Sequence, residues 1–489
     1  MKKKIILFLI VLSVATIITS PNFVVAHGMD GYCTLSNGYQ ETIQHYLLDG
    51  RPFSALLLLF WQWTKFPFDS ISFVSAFFAN VFLALAIVMI FLKYEGKIQS
   101  TLGKISLLFI SFTIFYMPLM IEVIAFDEAM IMALGALLFT LSSMRINAFS
   151  IKSILMALLY AILGVLCYQG MACYLIPLVI LFGILEFKKY DKDEIVLFVK
   201  KILVALVIYL IAYIFDYIFM SIVGNVIGDS SEKLGDMNLL NNINLIVTSL
   251  IPNSFRYLFG FINPTLYYFV LAVIVICMAF CIYKSEHRMG NTILVLILIL
   301  SVVVTPFIPN LVMGDNNYVA ARSVLVITSL PSMLLFIMCF NDFKYSKYII
   351  LLLSLFIFAL YSLFIFKNCR IDLERYKQDT KYINEVYTYI KFYENESDEK
   401  VKYIYYAYDT NSAYYYPTGY NNGMNIRVTS AEWGMSCAFD AYNSSSQDVI
   451  LKPMSEEKYN ELYKGKNYDE LIPKNQFVFE DDKLYLLIY

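Results

Sequence analysis

Apolar residues along this chain come in long runs separated by short polar stretches. A helix satisfies its backbone polar groups internally, so about 20 mostly apolar residues suffice to cross hydrocarbon. Eleven segments meet that description: 5–22, 70–92, 105–121, 128–144, 152–168, 171–187, 195–221, 262–283, 291–308, 323–340 and 348–366. A further run, 52–63, is too short to span. It is expected to lie in the interface or to dip in and return, with Trp61 and Trp63 at headgroup level. Beyond 367 the pattern changes. Residues 371–396 read as a charged amphipathic helix, and 455–464 as a second helix. Runs at 401–406, 426–429, 449–452, 477–479 and 484–489 predict strands, with Asp481-Asp482 turning the last hairpin. The expected fold is an α-helical polytopic membrane protein with about 11 transmembrane helices over residues 1–367, followed by a small extracytoplasmic α/β domain over 368–489.

Charge orients the spans. Cations collect in loops on the cytoplasmic side of a membrane. Lys2, Lys3 and Lys4 place the N-terminus there, and alternate loops carry Lys93, Lys97 and Lys104, then Arg145 and Lys152, then Lys188, Lys189, Lys192, Lys200 and Lys201. The opposite loops hold mainly Arg51, Lys65, Lys233, Arg256 and Arg322. An odd number of spans then leaves the C-terminus outside. The first segment is either a retained span or a signal peptide cleaved near Val24 and Ala26. In both cases the loop over 21–68 is extracytoplasmic.

Composition agrees. Hydrophobic residues make up 59% of the 489 positions and charged residues only 16%, which excludes a soluble protein. A net charge of −2 gives no basic field for nucleic acid. The eight Cys show no metal-binding spacing, and His27 beside Asp30 lacks companion ligands. No motif names a cofactor, and a divalent cation is left open. Cys33, Cys369 and Cys437 are the outward thiols, an odd number that fixes no pairing.

Candidate chemistry lies where polar groups gather at one face. The first outward loop carries Asp30, Glu41, Asp49 and Asp69 with Arg51. The second places Glu122, Asp127 and Glu128 around a short turn, where carboxylates are costly unless wet or paired. They are either a solvated turn that marks the membrane edge or part of a site. Tyr168-Gln169-Gly170 either caps helices or bonds a sugar or pyrophosphate. Arg322 follows Gly314-Asp315-Asn316-Asn317. It either pairs with Asp315 or snorkels, or its guanidinium fork grips phosphate.

Gly50-Arg51-Pro52 after a polar first loop, Pro118, Glu122 and Phe126-Asp127 after the third segment, and Tyr168-Gln169 after the fifth together resemble the Gtr type-II family of serotype-converting O-antigen glucosyltransferases. The resemblance covers roughly 1–370. It implies a GT-C type membrane glycosyltransferase that moves a single sugar, glucosyl by analogy, from polyprenyl phosphate to a surface glycan outside the cytoplasm, in a bacterial plasma membrane. It also implies an essential acid in the first outward loop. Where the family resembles a paired Asp-Asp followed by a basic residue, this chain has the single acid of Met29-Asp30-Gly31, and Glu41 is the substitute. The catalytic candidates are therefore Asp30 and Asp127. The substrate-binding candidates are Glu41, Arg51, Glu122, Glu128, Tyr168, Gln169 and Arg322. Tyr414, Tyr415, Tyr416 and Trp433 of the tail would suit sugar stacking or a packed core. The rival readings are a polymerase of lipid-linked repeat units and a transporter of lipid-linked sugars. Acids clustered at one face and the lack of repeated halves argue against the transporter.

Overall fold

Apolar runs without internal breaks become helices because each backbone N–H finds its carbonyl four residues back. The computed structural model describes residues 2–25, 28–187, 190–229, 238–255, 263–311, 319–340, 346–409, 427–430, 432–443 and 449–489. His27, Arg256, Asp315, Tyr414, Tyr415, Tyr416 and the Trp433 side chain lie outside the described residues. Contacts divide the chain into two units. The first is Met1–Ala26 with Ile43–Cys369, and the second is His27–Thr42 with Arg370–Tyr489.

The first unit is helical. Among the described residues nine helices are long and apolar enough to cross a membrane: Lys2–Val24, Phe68–Lys97, Ala129–Ala148, Gln169–Glu186, Lys192–Ile227, Pro264–Lys284, Arg288–Phe307, Ala321–Met338 and Lys347–Ser397. The chain is a membrane protein. Eleven are expected from the sequence, and the difference from these nine, or ten if a bent pair is one span, lies at two places. The third segment is a pair, Thr101–Phe115 and Pro118–Ile124, bent by 48°. Pro118 offers no N–H to the preceding turn, so the helix breaks ahead of it. The fifth, Ile151–Cys167, has only 17 residues.

Close approach of backbones holds this bundle. A Cβ on Gly164 would stand 3.0 Å from the Phe139 ring, and one on Gly135 would stand 3.3 Å from the Gly164 carbonyl. Small residues at such crossings let helices pack without a hydrophobic drive in lipid. Hydrogen bonds between helices add to it. Asn80 Nδ2 donates to Thr19 Oγ1 at 2.9 Å and Oδ1 accepts from the Tyr116 hydroxyl at 2.6 Å, which ties the first helix into the bundle. Ser142 Oγ reaches the Ala157 carbonyl at 2.8 Å, and Asn147 Nδ2 the Val179 carbonyl at 3.2 Å. The short Pro52–Thr64 helix buries Trp61 against Phe66, with ring centroids 4.6 Å apart, and leaves Trp63 81% exposed. Only Trp63 is therefore free to sit among headgroups.

The second unit holds a four-stranded sheet of order β2-β1-β4-β3, where β1 is Tyr403–Tyr408, β2 Ile450–Pro453, β3 Phe477–Glu480 and β4 Lys483–Ile488. Strands β2, β1 and β4 run parallel, and β3 returns antiparallel through Asp481, whose φ of 51° suits the tight turn. Ile404, Tyr406, Leu484 and Leu486 pack with Tyr382, Val386, Met435 and Phe439 in one core. Two expectations are corrected here. Residues 428–430 form a 3₁₀ turn, because the Val428 N–H goes to Asp379 Oδ2 at 2.7 Å. Residue 426 of that expected strand lies outside the described residues. The segment over 28–42 belongs to this unit, not to the span region: the Met29–Asn37 helix packs on the Glu432–Tyr442 helix, and Cys33 is disulfide-bonded to Cys437. Cys369 is a buried free thiol. The last expected span and the amphipathic helix over 371–396 form one continuous helix, Ser346–Ser397.

Candidate functional site

Alternating spans bring several helix ends together at one end of the first unit. The Ile71–Tyr94 helix starts there with Ser72, and the Ala129–Ala148 helix starts after Glu128. The Ile151–Cys167 helix ends there at Tyr168, and Arg322 stands just ahead of the Leu325–Met338 helix. Helix ends expose unsatisfied backbone groups and so tolerate polar side chains that a helix interior in lipid would not.

Arg51 stands at the residue ahead of the Pro52–Thr64 helix and is buried. Its Nη1 meets Glu128 Oε1 at 3.0 Å, its Nη2 meets Asp49 Oδ2 at 3.2 Å, and its guanidinium lies 5.0 Å from the centre of the Tyr168 ring. Burial works against the charge, but Glu128 and then Asp49 outweigh it, and the guanidinium holds its proton above the ordinary arginine range. One atom of each main partner is unspent: Arg51 Nε and Glu128 Oε2 are buried without a hydrogen-bond partner among the described residues.

Arg322 is differently placed. Its Nε donates to the Tyr168 hydroxyl, and its guanidinium stacks 4.6 Å over the Phe126 ring. It is half-buried. Tyr168 thus stands between two guanidiniums, one paired to carboxylates and one held by aromatic rings. A planar guanidinium of this kind matches the paired oxygens of an anion such as phosphate. Asp127, next in chain to Phe126, accepts a hydrogen bond from the Ser72 hydroxyl. Glu122 is fully buried on the Ile121–Ile124 turn.

Gln169 is a junction. Its Nε2 donates to the Asp49 carbonyl at 2.7 Å, to the Gly50 carbonyl at 3.2 Å and to Asp216 Oδ2 at 3.1 Å. The Gln169 backbone carbonyl accepts from the Tyr213 hydroxyl at 2.9 Å. Gly50 has φ +75°, and a Cβ there would collide with the Asp216 carboxylate and come within 2.6 Å of Gln169 Nε2.

The expected site residues therefore separate. Arg51, Glu122, Asp127, Glu128, Tyr168, Gln169 and Arg322 belong to the first unit. Asp30 and Glu41 belong to the second, Asp30 in the first turn of the Met29–Asn37 helix and Glu41 exposed, accepting from Asn37 at 3.3 Å. Asp49, one of the candidate acids of the first loop, joins the cluster, and so do Ser72, Tyr213 and Asp216, which the sequence reading does not name as candidates. Asp216 had a signal: it is an acid inside the apolar run 195–221. Among the described residues no three His, Cys, Asp or Glu side chains form a set that could hold a metal ion.

A bundle of membrane-length helices with buried ionic chemistry gathered at one end defines a polytopic membrane protein with a polar site at its rim. The model of the glucosyl transferase GtrII family matches residues 29–340, and the chain belongs to that family: it is a glycosyltransferase. No curated protein and no solved structure matches it.

Proposed function

We propose that the chain transfers one glucosyl group from a polyprenyl-phosphate donor to a surface glycan, at the outer face of a bacterial plasma membrane. The observation that carries this reading is Arg322, held between Tyr168 and Phe126, the residue ahead of Asp127. The acceptor hydroxyl attacks the anomeric carbon of the sugar, and its proton passes to a carboxylate. The bond from that carbon to the phosphate oxygen breaks, and the electron pair leaves with the phosphate. Arg322 binds the charge on the departing group, where a preorganised cation in a water-poor site acts most strongly. The candidates for that base are Asp127 and Asp30. The Cys33–Cys437 disulfide supports an extracytoplasmic second unit, since disulfides persist in oxidising compartments. The cation asymmetry of the loops points the same way.

The test uses the whole chain in lipid. With polyprenyl-phosphate glucose as donor, Arg322→Ala should raise donor KM or lower kcat/KM by about 10- to 100-fold, the value of a charged hydrogen bond. Protein levels should stay at wild type. Transfer from a nucleotide sugar without any lipid carrier would falsify the donor assignment.

A further inference from the structure

We propose that Asp216 is a positioning residue for transfer: through Gln169 it holds the Asp49-Gly50-Arg51 turn in the place that the rim site requires. The inference rests on the donor reading above for its kinetic arm only. Asp216 lies in the Lys192–Ile227 helix, a 36-residue element, and is 2% exposed. A carboxylate in such a helix is expensive to bury and marks a function together with its partner. Its partner is the Gln169 amide at 3.1 Å. That amide shares its two hydrogens between Asp216 and the carbonyls of Asp49 and Gly50, so one side chain joins a membrane helix to the turn ahead of Arg51.

The glycine completes the joint. At φ +75° Gly50 takes a backbone shape that other residues adopt at a cost, and its missing side chain leaves the space that the Asp216 carboxylate fills. The consequence runs onward through the chain. Arg51 follows Gly50 directly, pairs with Glu128 and lies over Tyr168, which in turn receives the Arg322 hydrogen bond. Release of the Gln169 amide would therefore loosen the turn and shift the tyrosine between the two guanidiniums. Asp216 needs no contact with substrate to do this. Its oxygen acts as an acceptor for the amide, so an amide oxygen can replace it.

Four variants and two measurements test the claim. Asp216→Ala and Gln169→Ala should each raise donor KM by about 10-fold, and the double variant should be no worse than either, because both break one connection. Asp216→Asn should restore donor KM to within about threefold of wild type, since its carbonyl oxygen still accepts. A loss of folded protein would lower the maximal rate and leave KM alone, so the KM effect separates positioning from plain stability. Hydrogen–deuterium exchange of a peptide spanning 46–53 forms the second arm: it should speed up in Asp216→Ala and stay near wild type in Asp216→Asn. That arm needs no donor. A wild type inactive on polyprenyl-phosphate glucose would sink the donor reading, and exchange would still decide this one. Unchanged exchange in Asp216→Ala, or KM effects that multiply in the double variant, overturns the proposal.

Discussion

At the scale of single residues, Arg51 and Arg322, which look alike in sequence, have different environments. Arg51 is held by two carboxylates, with Glu128 only 2% exposed. Removal of one member of a buried pair leaves the other charge uncompensated, which costs about 3–5 kcal/mol. Arg51→Ala should lower thermal stability in detergent by that order, and Glu128→Gln in the same chain should recover part of it. A fully additive double variant would show that the pair is not coupled. Asp127 tests differently. It accepts from Ser72 and does not sit at the cap position of the Ala129–Ala148 helix, which Glu128 occupies. Asp127→Asn should cut transfer by about 100- to 10,000-fold as a lost base, at matched membrane levels. Near-normal turnover would assign Asp127 a structural partnership with Ser72 instead.

Elements obey a different rule. The spans were legible because hydrocarbon forces each helix to satisfy its own backbone, so the information is local. Two features escaped. Residues 105–121 read as one run, yet Pro118 breaks it into a bent pair. The 52–63 run forms a 13-residue helix, and only packing tells its buried Trp61 from its exposed Trp63. The Ala129–Ala148 and Ile151–Cys167 pair depends on glycine contacts. Gly164→Leu would drive a side chain into Phe139, at about 1–3 kcal/mol for an overpacked site. The expected outcome is a lower melting temperature in detergent, while Gly96→Leu, with open space around it, should have little effect.

For the molecule as a whole, Asp30 lies in a unit assembled from two distant stretches of chain. A first-loop segment, 28–42, folds with the tail through the Cys33–Cys437 bond across 404 residues of sequence. Cys33→Ser should leave the first unit intact and lower the stability of the second, read as faster exchange in the Glu432–Tyr442 helix. In the wild type both thiols should resist maleimide until reduced. If Cys33 reacts in the oxidised protein, the pairing is wrong. Orientation has its own test: an impermeant thiol reagent should label Glu470→Cys in intact inner membranes, and labelling only after lysis would reverse the proposed topology.

The sequence by itself determined the helical spans, their charge asymmetry, the sheet-forming tail and the clustering of acids at span ends. Each of these follows from local rules of hydropathy, period and charge. Tertiary structure decided the pairings: Arg51 with Glu128 across 77 residues, Gln169 with Asp49 across 120, Gln169 with Asp216 across 47, and the strand order β2-β1-β4-β3. A pairing depends on side chains arriving within about 3 Å in the right direction. Hydropathy brings helix ends to the same face, but only the packing of whole helices sets which of the charges there meet.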